Sequence, residues 1–152
     1  MIKIDIDDRD VLASLNHLLS AGADLKPAYQ DIGEYLIDST KRRFAAGEAP
    51  DGSPWAELSP VTIERKGHAK PLIGESRRLG VEISYLVLDD GVEIGSPMEY
   101  AGVQQFGAKA RSFSGGKSPW GDIPARPFLG LSGDDKTAVL DILQEHLEQA
   151  LG

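Results

Sequence analysis

The chain has 152 residues, a formal net charge of -8 and no cysteine. A domain of this length buries roughly 68–70% of its unfolded surface and folds without a disulfide or a metal, and the missing thiols exclude zinc thiolates and cysteine nucleophiles. The acidity argues against free nucleic-acid binding, because phosphate backbones attract positive surface, and no apolar run approaches the ~18 residues that a membrane span needs.

The first residues, M-I-K-I-D-I-D-D, are too acidic and too poor in apolar residues for a secretory signal, so a soluble, unexported protein is expected. Ile2, Ile4 and Ile6 alternate with polar residues and predict a short strand. Asp8 or Asp10 then caps a helix with Val11, Leu12, Leu15, Leu18 and Leu19 at helical spacing, and Gly22 stops it. A second, longer helix starts near Asp24. Pro27 lies in its first turn, its stripe is Leu25, Tyr29, Ile32, Leu36 and Phe44, and it closes on the basic cluster Lys41-Arg42-Arg43, which complements the helix dipole.

A turn-rich loop follows from Gly47 to Pro54, with Trp55 and Leu58 expected to anchor it on the core. Ser59-Pro60 begins a short helix, and Leu72–Leu79 predicts another. Val81, Ile83, Tyr85 and Val87 alternate as a strand, and Asp90-Gly91 predicts a hairpin turn into Val92 and Ile94. The pattern allows two registers, Val87 opposite Ile94 or Leu86 opposite Ile94, and does not choose between them. Glu99–Phe106 reads as a short helix stopped by Gly107. Arg126–Leu131 reads as a further strand, confined by Pro124 and Pro127 to an edge. The last helix starts at Gly133-Asp134-Asp135 with the stripe Val139, Ile142, Leu143, His146, Leu147 and Ala150; the position of His146 predicts a structural role. The expectation is therefore one α+β domain over residues 1–152. Helices, a long C-terminal one among them, pack on an antiparallel sheet of about three or four strands that includes a hairpin near 81–96.

Between the last two motifs lies a loop, Ala108 to Asp122, of roughly fifteen residues, longer than most loops in compact domains and expected to be flexible. In an acidic protein it is basic and aromatic. Lys109, Arg111 and Lys117 surround Phe113 and Trp120, a composition suited to a protein interface. Residues 1–40 are rich in acids, whereas 41–78 carry Lys41, Arg42, Arg43, Arg65, Lys66, Lys70, Arg77 and Arg78. Such an asymmetry suits complementary surfaces meeting between subunits.

Candidate catalytic and cofactor chemistry is sparse. Gly116-Lys117-Ser118 ends like a phosphate-binding loop, but Arg111 stands where that loop needs its first glycine. A calcium loop beginning at Asp5 would need glycine and glutamate where Asp10 and Asn16 stand. His17, His68 and His146 have no partner at metal-ligand spacing, and there is no G-x-S-x-G elbow. No cofactor, metal or catalytic residue is expected.

Two motifs flanking the loop, E-Y-A-G-V-Q-Q-F-G-A and I-P-A-R-P-F-L-G-L-S, together resemble the phage virion morphogenesis family, the tail completion proteins of Mu-like phages and prophages. R-R-F-A-A-G-E-A-P-D-G-S-P-W-A-E-L-S-P, P-L-I-G-E-S-R-R-L-G-V-E-I-S-Y and the I-G-S-P after the hairpin agree, so the resemblance spans Leu12 to Leu147. It implies a non-enzymatic assembly protein that completes the tail and helps join it to the head. The implied partners are further copies in a ring formed at assembly, tail tube or terminator proteins and head-neck proteins. The implied location is the host bacterial cytoplasm during assembly and then the virion tail or neck. A ring needs head-to-tail contacts. The expected contact set is Lys109, Arg111, Phe113, Lys117 and Trp120 in the loop, with Arg126 and Phe128 on the sheet edge. No membrane and no specific nucleic acid are expected as partners, although an acidic ring would let DNA pass. The alternatives are a nucleic-acid-binding protein using Arg42, Arg43, Arg77, Arg78 and the loop, and, ranked last, a hydrolase with unrecognised carboxylates.

Overall fold

A computed structural model describes residues 9–22, 24–60, 63–64, 67–69, 71–72, 78–89, 91–98, 101–109 and 123–151. The expected strand at Ile2–Ile6 and nearly all of the 108–122 loop lie outside the described residues. The described elements are α1 (Arg9–Ser20), α2 (Lys26–Ala46), a single turn α3 (Arg78–Val81), β1 (Ser84–Leu88), β2 (Gly91–Gly95), α4 (Ala101–Phe106) and α5 (Gly133–Leu151).

α2 is the spine. Its start is organised by Asp24, whose carboxylate accepts the Lys26 N–H at 3.1 Å, with Pro27 in the first turn. Its end is closed by Gly47 at φ 73°, whose N–H donates to the Arg43 carbonyl at 2.7 Å. That left-handed position favours glycine. Along its length α2 feeds two core clusters. Ala28, Ile32 and Leu36 join Val11 and Leu18 of α1 and Val139 and Leu143 of α5. One end of α2 gives Phe44 to a second cluster with Ala49, Trp55, Leu79, Ile83, Ala101, Phe128 and Leu129. Each large apolar side chain buried this way is worth about 1.5–3 kcal/mol. α1 uses only part of its apolar spacing, because Val11 and Leu18 are buried whereas Leu12 and Leu19 stay exposed. His146 of α5 meets Asp31 of α2 at 2.7 Å, a cross-helix contact on the flank of the core.

The hairpin takes a register other than either of the two its sequence suggested. Leu88 pairs with Gly91, Val87 with Val92 and Tyr85 with Ile94, so the two-residue connection is 89–90 and Gly91 already belongs to the strand. This pairing keeps Tyr85 and Val87 on one face with Val92 and Ile94. A Leu86–Ile94 pairing would have turned them to the opposite face. Gly33 of α2 supports the same choice. A Cβ there would come within 2.5 Å of the Tyr85 ring, so only a glycine lets the ring lie against the helix.

The sheet among the described residues has two strands, not three or four. The strand expected at Arg126–Leu131 does not form. Its backbone polar groups must then be satisfied in another way, and the side chains that satisfy them make up the site described next.

Candidate functional site

Three side chains from separate parts of the chain hold residues 126–130. Gln105, on the inward face of α4, accepts the N–H groups of Phe128 and Leu129 at 3.0 Å each and donates its amide to the Leu129 carbonyl at 2.9 Å. Trp55 donates its indole N–H to the Pro127 carbonyl at 2.7 Å. Arg43, near the end of α2, donates to the carbonyls of Phe128 at 2.7 Å and Gly130 at 3.0 Å. The Arg126 N–H reaches the Gln104 carbonyl at 2.7 Å. Side chains thus do for this segment what a neighbouring strand would do in a ladder, which is why a strand-like sequence gives no strand. An unmade bond of this kind costs about 1–3 kcal/mol per buried group.

The Arg43 guanidinium is itself held by Asp135 at the start of α5, in an ion pair with both side chains buried. Asp135 also accepts the Ser39 hydroxyl and, at 3.0 Å, the Ser132 N–H. The Ser132 hydroxyl in turn accepts the Asp135 N–H at 3.0 Å. Ser132 and Asp135 therefore form a reciprocal cap on α5, three residues apart. Burial by itself raises the Asp135 carboxyl pKa. The Ser132 N–H, the Ser39 hydroxyl and the Arg43 charge outweigh that, and the net shift is downward, so the group is ionised at neutral pH. Every buried side-chain polar atom among the described residues has a hydrogen-bond partner. The pair is therefore of the fully satisfied kind, in which removing one partner is expensive.

Around this network stand the rings of Phe44, Trp55 and Phe128. Phe44 meets Trp55 edge-on, with centroids 5.5 Å apart, and packs obliquely on Phe128, also at 5.5 Å. Arg126 turns the other way and donates to the carbonyls of Ala56 at 2.8 Å and Glu57 at 3.0 Å, tying the segment to the stretch after Trp55.

Two residues expected at a contact surface are therefore interior. Phe128 is 0% exposed and Arg126 only 7%, and neither lies in a strand. Both belong to the frame of the fold. Lys109 is exposed. Arg111, Phe113, Lys117 and Trp120 lie outside the described residues. What is described is the base of their loop: Ala108 and Ile123 exchange two backbone hydrogen bonds, at 2.9 and 2.7 Å. Gly107, at φ 74°, precedes that base, and a Cβ there would lie 2.7 Å from the Ile123 carbonyl oxygen. The same frame divides the basic cluster needed by the nucleic-acid alternative. Arg42 is exposed, with its guanidinium 5.7 Å from the Tyr35 ring centroid, but Arg43 is buried and paired. Arg77 lies outside the described residues, as does the side chain of Arg78.

Sequence reasoning missed Gln105, the Ser132–Asp135 cap and Phe106. A signal existed for the cap, because S-x-x-D before an apolar run is a helix-start pattern. It also existed for Phe106. In α4 the buried residues are Ala101 and Gln105, four apart, so the residue after Gln105 is turned about 100° away. Phe106 is 70% exposed. Among the described residues no group of three or more His, Asp or Glu side chains is placed to hold a metal ion.

The residues that build this frame lie partly in the paired motifs and partly outside them, at Ser39, Arg43, Trp55 and Asp135, and the match at family level covers them all. Residues 6–148 match the phage virion morphogenesis family. The chain belongs to that family. Tail completion protein S of Escherichia phage P2 is 32% identical over 124 residues, covering 78% of this chain and 81% of that protein. Mu-like prophage FluMu G protein 2 of Haemophilus influenzae is 28% identical over 149 residues, covering 97% of each chain. No solved structure matches. The family membership bears out the resemblance carried by the motifs. In this member much of the family motif consists of fold-holding residues, Arg43, Trp55, Gln105, Arg126 and Phe128 among them.

Proposed function

We propose that this chain is a tail completion subunit: a non-enzymatic assembly protein that forms a ring at the end of the tail and helps join the tail to the head. The observation that carries the reading is the likeness to a protein named for tail completion, which extends over 81% of that protein's length. The charge distribution along the sequence favours ring closure, since an acid-rich stretch over residues 1–40 followed by a basic one over 41–78 suits complementary contacts between successive copies. The loop from Ala108 to Asp122, with Lys109, Arg111, Phe113, Lys117 and Trp120, is the part proposed to meet a tail or neck protein, because its basic and aromatic composition suits a protein interface. A net charge of -8 per subunit suits a lumen through which DNA passes without sticking. The working locations are the host cytoplasm during assembly and then the virion; no described helix is long and apolar enough to cross a membrane.

The test replaces residues 110–122 with a short Gly/Ser linker that preserves the Ala108–Ile123 bonds. In a host supplying all other virion proteins, the variant should accumulate folded while heads and tails remain unjoined. Normal yields of infectious particles would remove the loop from the function. DNA binding that weakens steeply with salt would favour the nucleic-acid alternative instead.

A further inference from the structure

The hairpin is a sheet of two strands, a size that is marginal on its own. Among the described residues, no backbone bond from outside its ladder reaches residues 84–95. The register fixes which groups are left over. The two-residue turn makes Leu88 and Gly91 a hydrogen-bonded pair. Bonded pairs then alternate along the ladder, at Leu86–Glu93 and Ser84–Gly95. The N–H and C=O groups of Tyr85 and Val87 therefore point away from β2 and form an open edge. Proteins guard such an edge with a lysine, a proline or a bulge. β1 reads S-Y-L-V-L, with no charge and no proline, and its register is unbroken. Its middle residue, Leu86, is 52% exposed.

We propose that β1 pairs antiparallel with β1 of a second copy, about a two-fold axis at Leu86. One register meets every requirement. With Leu86 opposite Leu86, Tyr85 of each copy faces Val87 of the other. Those are then the hydrogen-bonded pairs, so every outward backbone group at Tyr85 and Val87 finds a partner. The aromatic and β-branched side chains make favourable cross-strand pairs, and the exposed leucines cover each other. Because the strand carries no charge, pairing it with itself brings no like charges together within it. A slip of one residue would set the outward groups of one copy against the inward groups of the other. The product is a four-stranded sheet, a common size. This two-fold contact goes beyond the ring reading. It is not the head-to-tail contact that a ring needs, so either can fail without the other.

The test uses the whole chain, which has no native cysteine. Leu86→Cys should give a disulfide-linked dimer under mild oxidation, because facing residues of a non-hydrogen-bonded pair have Cα atoms about 4.5 Å apart, within disulfide reach. Ser84→Cys, which would face Leu88, should not. Leu86→Lys and Leu86→Glu should each stay folded by circular dichroism, since the side chain is exposed. Each should dimerise roughly tenfold or more weakly in sedimentation, as loss of a buried leucine contact predicts. An equal mixture of the two should recover the dimer through the new Lys–Glu pair. A wild type that sediments as a monomer at every concentration overturns the proposal. So does a dimer that Leu86→Lys leaves intact, or equal oxidation of the two cysteine variants. A Lys/Glu mixture no tighter than either variant alone overturns it too, and leaves the edge to a strand of another protein.

Discussion

Phe106–Lys109 and Arg126–Leu131 flank the same long loop and are used in opposite ways. The second stretch is drawn inward. Phe128 is fully buried, and of the six backbone carbonyl and N–H groups between Pro127 and Gly130 described above, five are taken by Gln105 or Arg43 and the sixth, the Pro127 carbonyl, by Trp55. The first stretch faces outward. Gln105 just before it is buried, but Phe106 and Lys109 are exposed. A family motif therefore mixes two kinds of residue, those that hold the frame and those the frame presents, and only geometry separates them. Substitution should separate them too. Inward residues should act on stability, outward ones on assembly alone.

The largest effect is expected at Arg43. Arg43→Met leaves the Asp135 carboxylate buried without its cation and two carbonyls without donors, a loss of about 3–5 kcal/mol. Equilibrium urea unfolding measures it, and the double variant R43M/D135L should recover part of the loss, because a buried pair replaced by apolar groups is often nearly neutral. The same pair sets the acid limit of the fold. The Asp135 pKa is lower in the folded chain than its ordinary value, so the unfolded chain takes up the proton more readily. The stabilisation is therefore complete above the ordinary Asp value of about 3.9 and fades as pH falls through the lower, folded value. The urea midpoint should drop across that acid range. Asp135→Asn should start from lower stability and show a shallower drop.

Gln105 comes next. Gln105→Leu keeps the volume but strands two N–H groups and one carbonyl in the interior, and should cost about 2–4 kcal/mol in the same urea assay. A loss below about 1 kcal/mol would mean that the 126–130 segment finds other partners, and the contrast between the two stretches would weaken. Gly33→Ala should cost about 1–3 kcal/mol, because its Cβ would lie 2.5 Å from the Tyr85 ring. Tyr85→Leu in the same chain should relieve part of that cost.

Much of this frame was legible before any geometry. The helices at α1, α2 and α5 follow from apolar spacing and from Gly22, Pro27 and Gly47, because helix-forming contacts are local. The hairpin was legible as a hairpin, but its register was not. Val87 and Leu86 both offered plausible partners for Ile94, and the deciding contact, Tyr85 over Gly33, joins residues far apart in the chain. The segment Arg126–Leu131 read as a strand because its composition is strand-like; nothing local says that Gln105, Trp55 and Arg43 will take its backbone bonds. For the same reason Arg126 and Phe128 looked like surface residues. An arginine and a phenylalanine beside a basic aromatic loop have interface composition, and only their long-range partners, the carbonyls of Ala56 and Glu57 and the Phe44 ring, turn them into interior ones.

The smallest effect on stability is expected on the outward side, where the contrast is sharpest. Phe106→Ala removes a ring that contributes little to the core, so unfolding free energy should change by no more than about 0.5 kcal/mol. Lys109→Glu should be similarly mild, as its side chain is exposed. Both substitutions should nevertheless reduce the yield of joined particles when the variants replace the wild type in a complementation assay. Stability and particle yield measured on the same samples decide the matter. A Phe106→Ala chain that unfolds early would mean that the ring supports the frame after all. One that is stable but fails in assembly would place the working surface of this chain on the side its core does not use.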